Sequence, residues 1–192
     1  TDAARRMAMT VLGSALAAAD HHEDALIVQE AELAMKRRTG ASEEEMLAIR
    51  NNLANSYAIV GRRNEALRLR RDVYHGQLKL KNYVETLRAA NNYALSLIDL
   101  KHPEEVKPLL RQTMPIARRL LEENDETRLR MGWYYGIALY LDAGATLDDL
   151  RESVTTLESV ESLWKRIFGP AHPETGKVQH ALKEARKKLA AR

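Results

Sequence analysis

Apolar and polar positions alternate along this chain with helical spacing, and turn residues interrupt the pattern about every twenty residues. Met7, Val11, Leu12, Ala15 and Leu16 fall on one face of a first helix, about Ala4 to Ala19, and Asp20-His21-His22 forms the turn after it. A second helix, about Glu23 to Arg38, stops at Gly40, which suits a left-handed terminus. Ser42 with Glu45 three residues on has the form of a capping box and opens a third helix, Glu43 to Val60, stopped by Gly61. The fourth runs from about Asn64 to Leu80. Asn82 with Glu85 opens a fifth, ending near Leu100. Pro103 fits the first turn of a sixth helix, where its missing N–H costs nothing. Pro108 and Pro115 fall deeper, and their clash with the preceding turn predicts a kinked or interrupted helix. Asn124-Asp125 opens a seventh helix, Glu126 to Leu141, and Thr146 with Asp149 an eighth, ending at Phe168. Gly169-Pro170 breaks the chain before a last helix, Glu174 to Ala190.

The same phrase returns at a period of about forty residues. Asn51-Asn52-Leu53-Ala54 is followed by Tyr57, Gly61, Glu65 and Ala66; Asn91-Asn92-Tyr93-Ala94 is followed by Leu97, Glu105 and Val106. Self-similarity at a fixed period marks a solenoid, in which each unit buries its apolar face on its neighbours. Overlaying the pairs on Ala66 sets Ala25 and Val106 at equivalent places, and Gly13, Ala54, Ala94 and Gly136 at another. A small residue at one fixed place lets two helix backbones approach closely. The expected organisation is one repeat domain over 1–192, with pairs at about 4–41, 42–81, 82–124 and 125–170 and a basic capping helix over 173–192.

Composition fits that reading. Apolar residues make up 45% and charged residues 30%, with a single Phe, which favours helix over strand. The net charge of +3 is too small to argue for nucleic acid. With no cysteine there is neither a disulfide nor a thiolate metal site, which suits a reducing compartment such as the cytoplasm. No apolar run approaches the roughly 18 residues a bilayer requires. Since Thr1 and not Met opens the chain, the expectation is that a targeting segment can lie outside it.

At Leu53-Ala54, Tyr57, Gly61 and Glu65-Ala66 the chain resembles a tetratricopeptide repeat array. Asn-Asn-Leu-Ala at 51–54 and the linker Phe168-Gly169-Pro170-Ala171-His172-Pro173-Glu174 are most similar to kinesin light chain-like repeats. The resemblance spans roughly residues 7 to 178, with the motifs degenerate in the first and fourth pairs. It implies an all-α, right-handed superhelical solenoid of antiparallel helix pairs, with peptide or protein binding along the concave face. Arg70 stands where that family usually carries an aromatic.

In that family the first helix of each pair lines the inner face, which nominates Asn51, Asn52, Asn55, Arg88, Asn91, Asn92, Arg130, Trp133 and Tyr134. Asparagine amides donate and accept at once and can hold a peptide backbone. Arg88 and Arg130 could take carboxylates, and Trp133 or Tyr134 could anchor an apolar side chain. The structural alternative is that some asparagines bond between helices and that Trp133 or Tyr134 is core. No Gly-x-Ser-x-Gly, phosphate-binding loop, dinucleotide fingerprint or His-Glu-x-x-His occurs, so the chain reads as non-catalytic and without a cofactor. The histidines lie in turns or alone, and none pairs with another at metal-ligand spacing along a helix. The expected function is a protein-interaction scaffold. Alternatives are a structural subunit held through outer helices, RNA binding through the arginine clusters, and self-association through the N-terminal end.

Overall fold

A computed structural model describes the backbone of residues 2–192, and all of their side chains except those of Asp2, Ala3 and Arg6. Thr1, the first residue of the expected domain, lies outside the described residues. The described residues form helices joined by short turns, with no strand among them. The helices are α1 (Asp2–Ala18), α2 (His22–Arg38), α3 (Glu43–Ile59), α4 (Arg63–Lys79), α5 (Tyr83–Asp99), α6 (Pro103–Leu120), α7 (Glu126–Leu141), α8 (Leu147–Phe168) and α9 (Pro173–Ala190). The chain divides into two compact units at Ala89–Ala90, within α5.

The turns repeat one device. Asp20, Gly40, Gly61, Lys81 and Lys101 all have φ between 57° and 84° and follow the ends of α1 to α5. At each, the next residue's N–H reaches five residues back: His21 to Leu16 (2.9 Å), Ala41 to Lys36 (3.1 Å), Arg62 to Tyr57 (2.8 Å), Asn82 to Gln77 (3.2 Å) and His102 to Leu97 (2.8 Å). This left-handed C-terminal motif satisfies carbonyls that the helix leaves free and reverses the chain within a few residues. The capping boxes at Ser42/Glu45 and Thr146/Asp149 form as the spacing predicts.

In the first unit, α2 packs on both α1 and α3, and α3 packs on α4. Leu26, Leu33, Met46, Ile49 and Leu53 form a core, with Tyr57, Val60 and Leu69 against it. Ser56 Oγ donates to Gln29 Oε1 at 2.9 Å inside the α2–α3 contact. On the α4 side Leu47 is fully buried over Gly76, where an added Cβ would stand 2.5 Å from Leu47 Cδ2. The apolar face expected for α1 is largely uncovered: Met7, Val11 and Leu12 are 73%, 61% and 50% exposed. α2 covers the matching face of α3, and among the described residues no helix does so for α1.

In the second unit, α7 packs against α6, α8 and α9, and α9 also covers α8. Its core holds Leu110, Met131, Leu139, Leu150, Leu157, Trp164 and Val178. Two α7 glycines bring α8 in close. A Cβ at Gly136 would stand 2.6 Å from Leu157 Cγ, and one at Gly132 2.9 Å from Val160 Cγ2. The places expected to be small are all buried: Ala25, Ala66 and Val106 in one set, Gly13, Ala54, Ala94 and Gly136 in the other. α6 runs uninterrupted through Pro108 and Pro115, which corrects the expectation of a break there. Both prolines sit in a helix that buries Val106, Leu109, Leu110, Thr113 and Ala117. That buried stripe offsets the two lost backbone bonds.

The linker before α9 closes on itself. Gly169 takes φ +85°, and Thr175 Oγ1 donates to the Gly169 carbonyl at 2.9 Å. His172 Nδ1 accepts from the Glu174 N–H at 3.2 Å and so caps α9, while Phe168 and Trp164 stack beside its ring. α9 buries Val178, Ala181, Leu182 and Ala185 and exposes Lys177, Lys183, Arg186 and Lys187.

Candidate functional site

α3 presents three faces. One, Met46, Ile49 and Leu53, meets α2; a second, Leu47 and Ala54, is buried with it. The third carries Ala48, Asn51, Asn55 and Ile59 at helical spacing, with Asn52 beside them. Asn51 and Asn52 are half-buried, Asn55 is exposed and Ile59 is 58% exposed. Ile59 is the large apolar side chain that this face leaves in water, one turn from the exposed Asn55 amide.

Arg70, on α4, stands where the resemblance implies an aromatic. It is 7% exposed, and its Nη2 donates to Asn55 Oδ1 at 3.3 Å. That bond occupies the acceptor end of the Asn55 amide and leaves its two N–H groups to point elsewhere. The sequence signal was present, a charge at a position in the buried stripe of α4, but its partner fifteen residues back was not visible. Nearby, Tyr57 donates to Glu30 Oε1 at 2.6 Å, and Arg62 lies 4.2 Å over the Tyr57 ring while pairing with Glu65 at 3.0 Å. Burial, and then the Glu30 bond, push the Tyr57 hydroxyl above its ordinary pKa. This cluster ties α2, α3 and the start of α4 together at one end of the exposed α3 stripe.

The remaining nominated residues are placed differently. Arg88 is exposed and pairs with Glu85 at 2.6 Å. Asn91 is buried and its Oδ1 has no hydrogen-bond partner among the described residues, while Asn92 is half-buried. Arg130 bonds Glu174 at 3.0 and 3.1 Å and Glu126 at 2.6 Å, joining α7 to α9. Trp133 and Tyr134 are 7% and 5% exposed; Trp133 meets the Trp164 ring edge-on at 6.0 Å. Their surface is spent on the core of the second unit. The indole N–H of Trp133 and the Nε–H of Arg130, one turn apart, are buried with no acceptor among the described residues. Buried polar groups are nearly always paired, so these mark unspent hydrogen-bonding capacity on α7.

A second polar assembly spans α6, α7 and α8. Lys107 pairs with Asp149 at 2.6 Å, and Arg111 donates to Tyr135 Oη at 2.8 Å and to Glu152 at 3.2 Å. Lys107, then the capping bonds from Thr146, hold the Asp149 carboxyl at about 2. His102, Glu104 and Glu105 converge in the open at the start of α6, where His102 Nδ1 lies 3.3 Å from Glu104; the arrangement is that of an exposed helix-start pair. Among the described residues, no helix is long and apolar enough to cross a membrane.

Comparison with known proteins agrees with this architecture. Residues 46–75 match the tetratricopeptide repeat family profile. No curated protein matches the sequence. Among solved structures, the kinesin light chain nearly identical TPR-like repeats from Podosopora anserina, so described without the role being established, are 22% identical. They superpose with a TM-score of 0.74 over 98% of this chain and 88% of that one. BtubC (BKLC) from P. vanneervenii is 14% identical, with a TM-score of 0.60 over 95% of this chain and 79% of that one. YrrB, titled a TPR protein with an unusual peptide-binding site, is 16% identical, with a TM-score of 0.53 over 93% and 83%. Residues 46–75 are thus a tetratricopeptide repeat, and the chain has the fold of kinesin light chain-like tetratricopeptide arrays.

Proposed function

We propose that this chain is a non-catalytic protein-interaction scaffold that holds an extended peptide segment of a partner along α3, the first helix of its second pair. The observation that carries the reading is the third face of α3. Two faces of this helix are packed, yet on the third Asn55 and Ile59 stay exposed, with Asn51 and Asn52 half-buried beside them. The Asn55 amide keeps its two N–H groups to donate to a peptide carbonyl, and Ile59 offers an apolar seat one turn on. Arg70 holds Asn55 ready, so less side-chain entropy is lost when a peptide binds. That the solved structure of YrrB is titled for a peptide-binding site supports the class of function, not the position of the site.

The test is binding of a captured partner to three forms of the chain: unaltered, Asn52→Ala with Asn55→Ala, and Arg70→Met. Loss of one net hydrogen bond is worth about 1 kcal/mol, so the double variant is expected to bind about tenfold or more weakly. Arg70→Met is expected to lose severalfold without touching the peptide. Unchanged affinity in both, with helicity intact, would remove α3 from the interface and favour a subunit held through other helices.

A further inference from the structure

α6 and α8 both lie on α7, and beside the Lys107–Asp149 and Arg111–Glu152 pairs that join them a wedge lies between the two. It encloses about 310 Å³, within the size range of binding pockets. We propose that this cleft is a second binding site, on the second helices of the pairs, for an acidic peptide segment carrying an aliphatic side chain.

The floor is apolar: Leu129, Gly132 and Val160, with Met114 and Leu163 above them. Gly132 matters because a Cβ there would stand 2.9 Å from Val160 Cγ2, so the Val160 side chain would have to shift. One end is closed by Tyr135, whose hydroxyl donates to Glu152 Oε1 at 2.8 Å while Arg111 donates to Oε2 at 3.2 Å. Glu152 is therefore spent. The other acid of the lining, Glu123, faces Arg166 at 3.4 Å. Of the two lining arginines, Arg128 donates to the Leu121 carbonyl at the end of α6 at 3.0 Å. Arg118 has no acid partner among the described residues. Both acids are thus neutralised within the fold, and a cation is left at the rim. On the α8 wall, Thr155 donates to the Arg151 carbonyl at 3.1 Å, while Thr156 and Ser159 keep hydroxyls free to bond a peptide backbone. An apolar floor, hydroxyls on one wall and an unmatched guanidinium at the mouth together select a carboxylate beside an aliphatic group.

The experiment titrates the ¹⁵N-labelled full chain with three blocked tetrapeptides: acetyl-Glu-Leu-Leu-Glu-amide, its Gln-Leu-Leu-Gln counterpart and its Glu-Ser-Ser-Glu counterpart. Saturating amide shifts at Gly132, Thr156 and Ser159 are expected with the first alone, weakening as salt screens the charge. Arg118→Glu, at an exposed position, is expected to weaken binding about tenfold or more, and Ser159→Phe to abolish it by filling the cleft, with the fold intact in both. Equal binding of the glutamine peptide, no saturation up to millimolar peptide, or shifts confined to α3 would each overturn the site. The last outcome would at the same time support the α3 reading, so the two proposals fail separately.

Discussion

Single side chains in this chain do more than their type suggests. Asp149 completes a capping box for α8 and holds Lys107 of α6 in the same act, which is why its carboxyl titrates at about 2 instead of near 4. A carboxylate depressed on folding stabilises the fold above its unfolded pKa and loses that contribution as pH falls through the folded value. Asp149→Asn is therefore expected to lose about 2 kcal/mol at neutral pH. Between pH 4 and pH 2 the variant should also show a shallower fall in stability than the parent in urea melts. Parallel curves over that range would show that the Asp149 carboxyl is not held down by folding. Arg70 illustrates the same point at the candidate site: a buried guanidinium orients an exposed amide, so a residue that no peptide reaches is expected to set affinity.

Helix ends and close approaches carry the fold at the next scale. Five left-handed turns share one bonding pattern, yet three are built on Asp20, Lys81 and Lys101 and only two on glycine. A side chain in that region costs about 1 kcal/mol or more, part of which glycine returns through unfolded-state entropy. Lys101→Gly, at an exposed position, is expected to raise stability by about 0.5–1 kcal/mol and the Tm with it. A lower Tm would mean that Lys101 makes an interaction its geometry does not show. At α7, Gly136→Ala forces a methyl onto fully buried Leu157 and is expected to cost about 1–3 kcal/mol in chemical denaturation. An effect near zero would show that α7 and α8 can part without penalty. Periodicity alone exposed the helices, because apolar spacing and cap residues are local signals. Gly40 and Gly61 were legible as stops for the same reason, whereas Lys81 and Lys101 were not, since lysine carries no turn preference. Pro108 and Pro115 misled because local propensity says nothing of the packing that overrides it. The asparagines of α3 were legible through the repeat. That Trp133 and Tyr134 are spent in the core depends on α8 and α9, whose packing no local pattern encodes.

At the scale of the chain, each unit has its own core, and stability comes from pairs of neighbours, as in helix-pair repeats generally. Such a construction leaves whole helix faces free for partners. The exposed face of α1, the stripe of α3 and the cleft over α7 are open among the described residues, and they differ in chemistry: apolar, amide and mixed. The proposal that this is a scaffold working through α3 makes one direct demand, that a partner lie on the Ile59 side of that helix. A photo-crosslinking amino acid placed at Ile59, and in a separate protein at Lys187 on the charged outer face of α9, tests it by mass spectrometry of the adducts. The account predicts a specific partner peptide joined at position 59 and none at 187. Adducts at 187 alone, or the same partner at both, would contradict it.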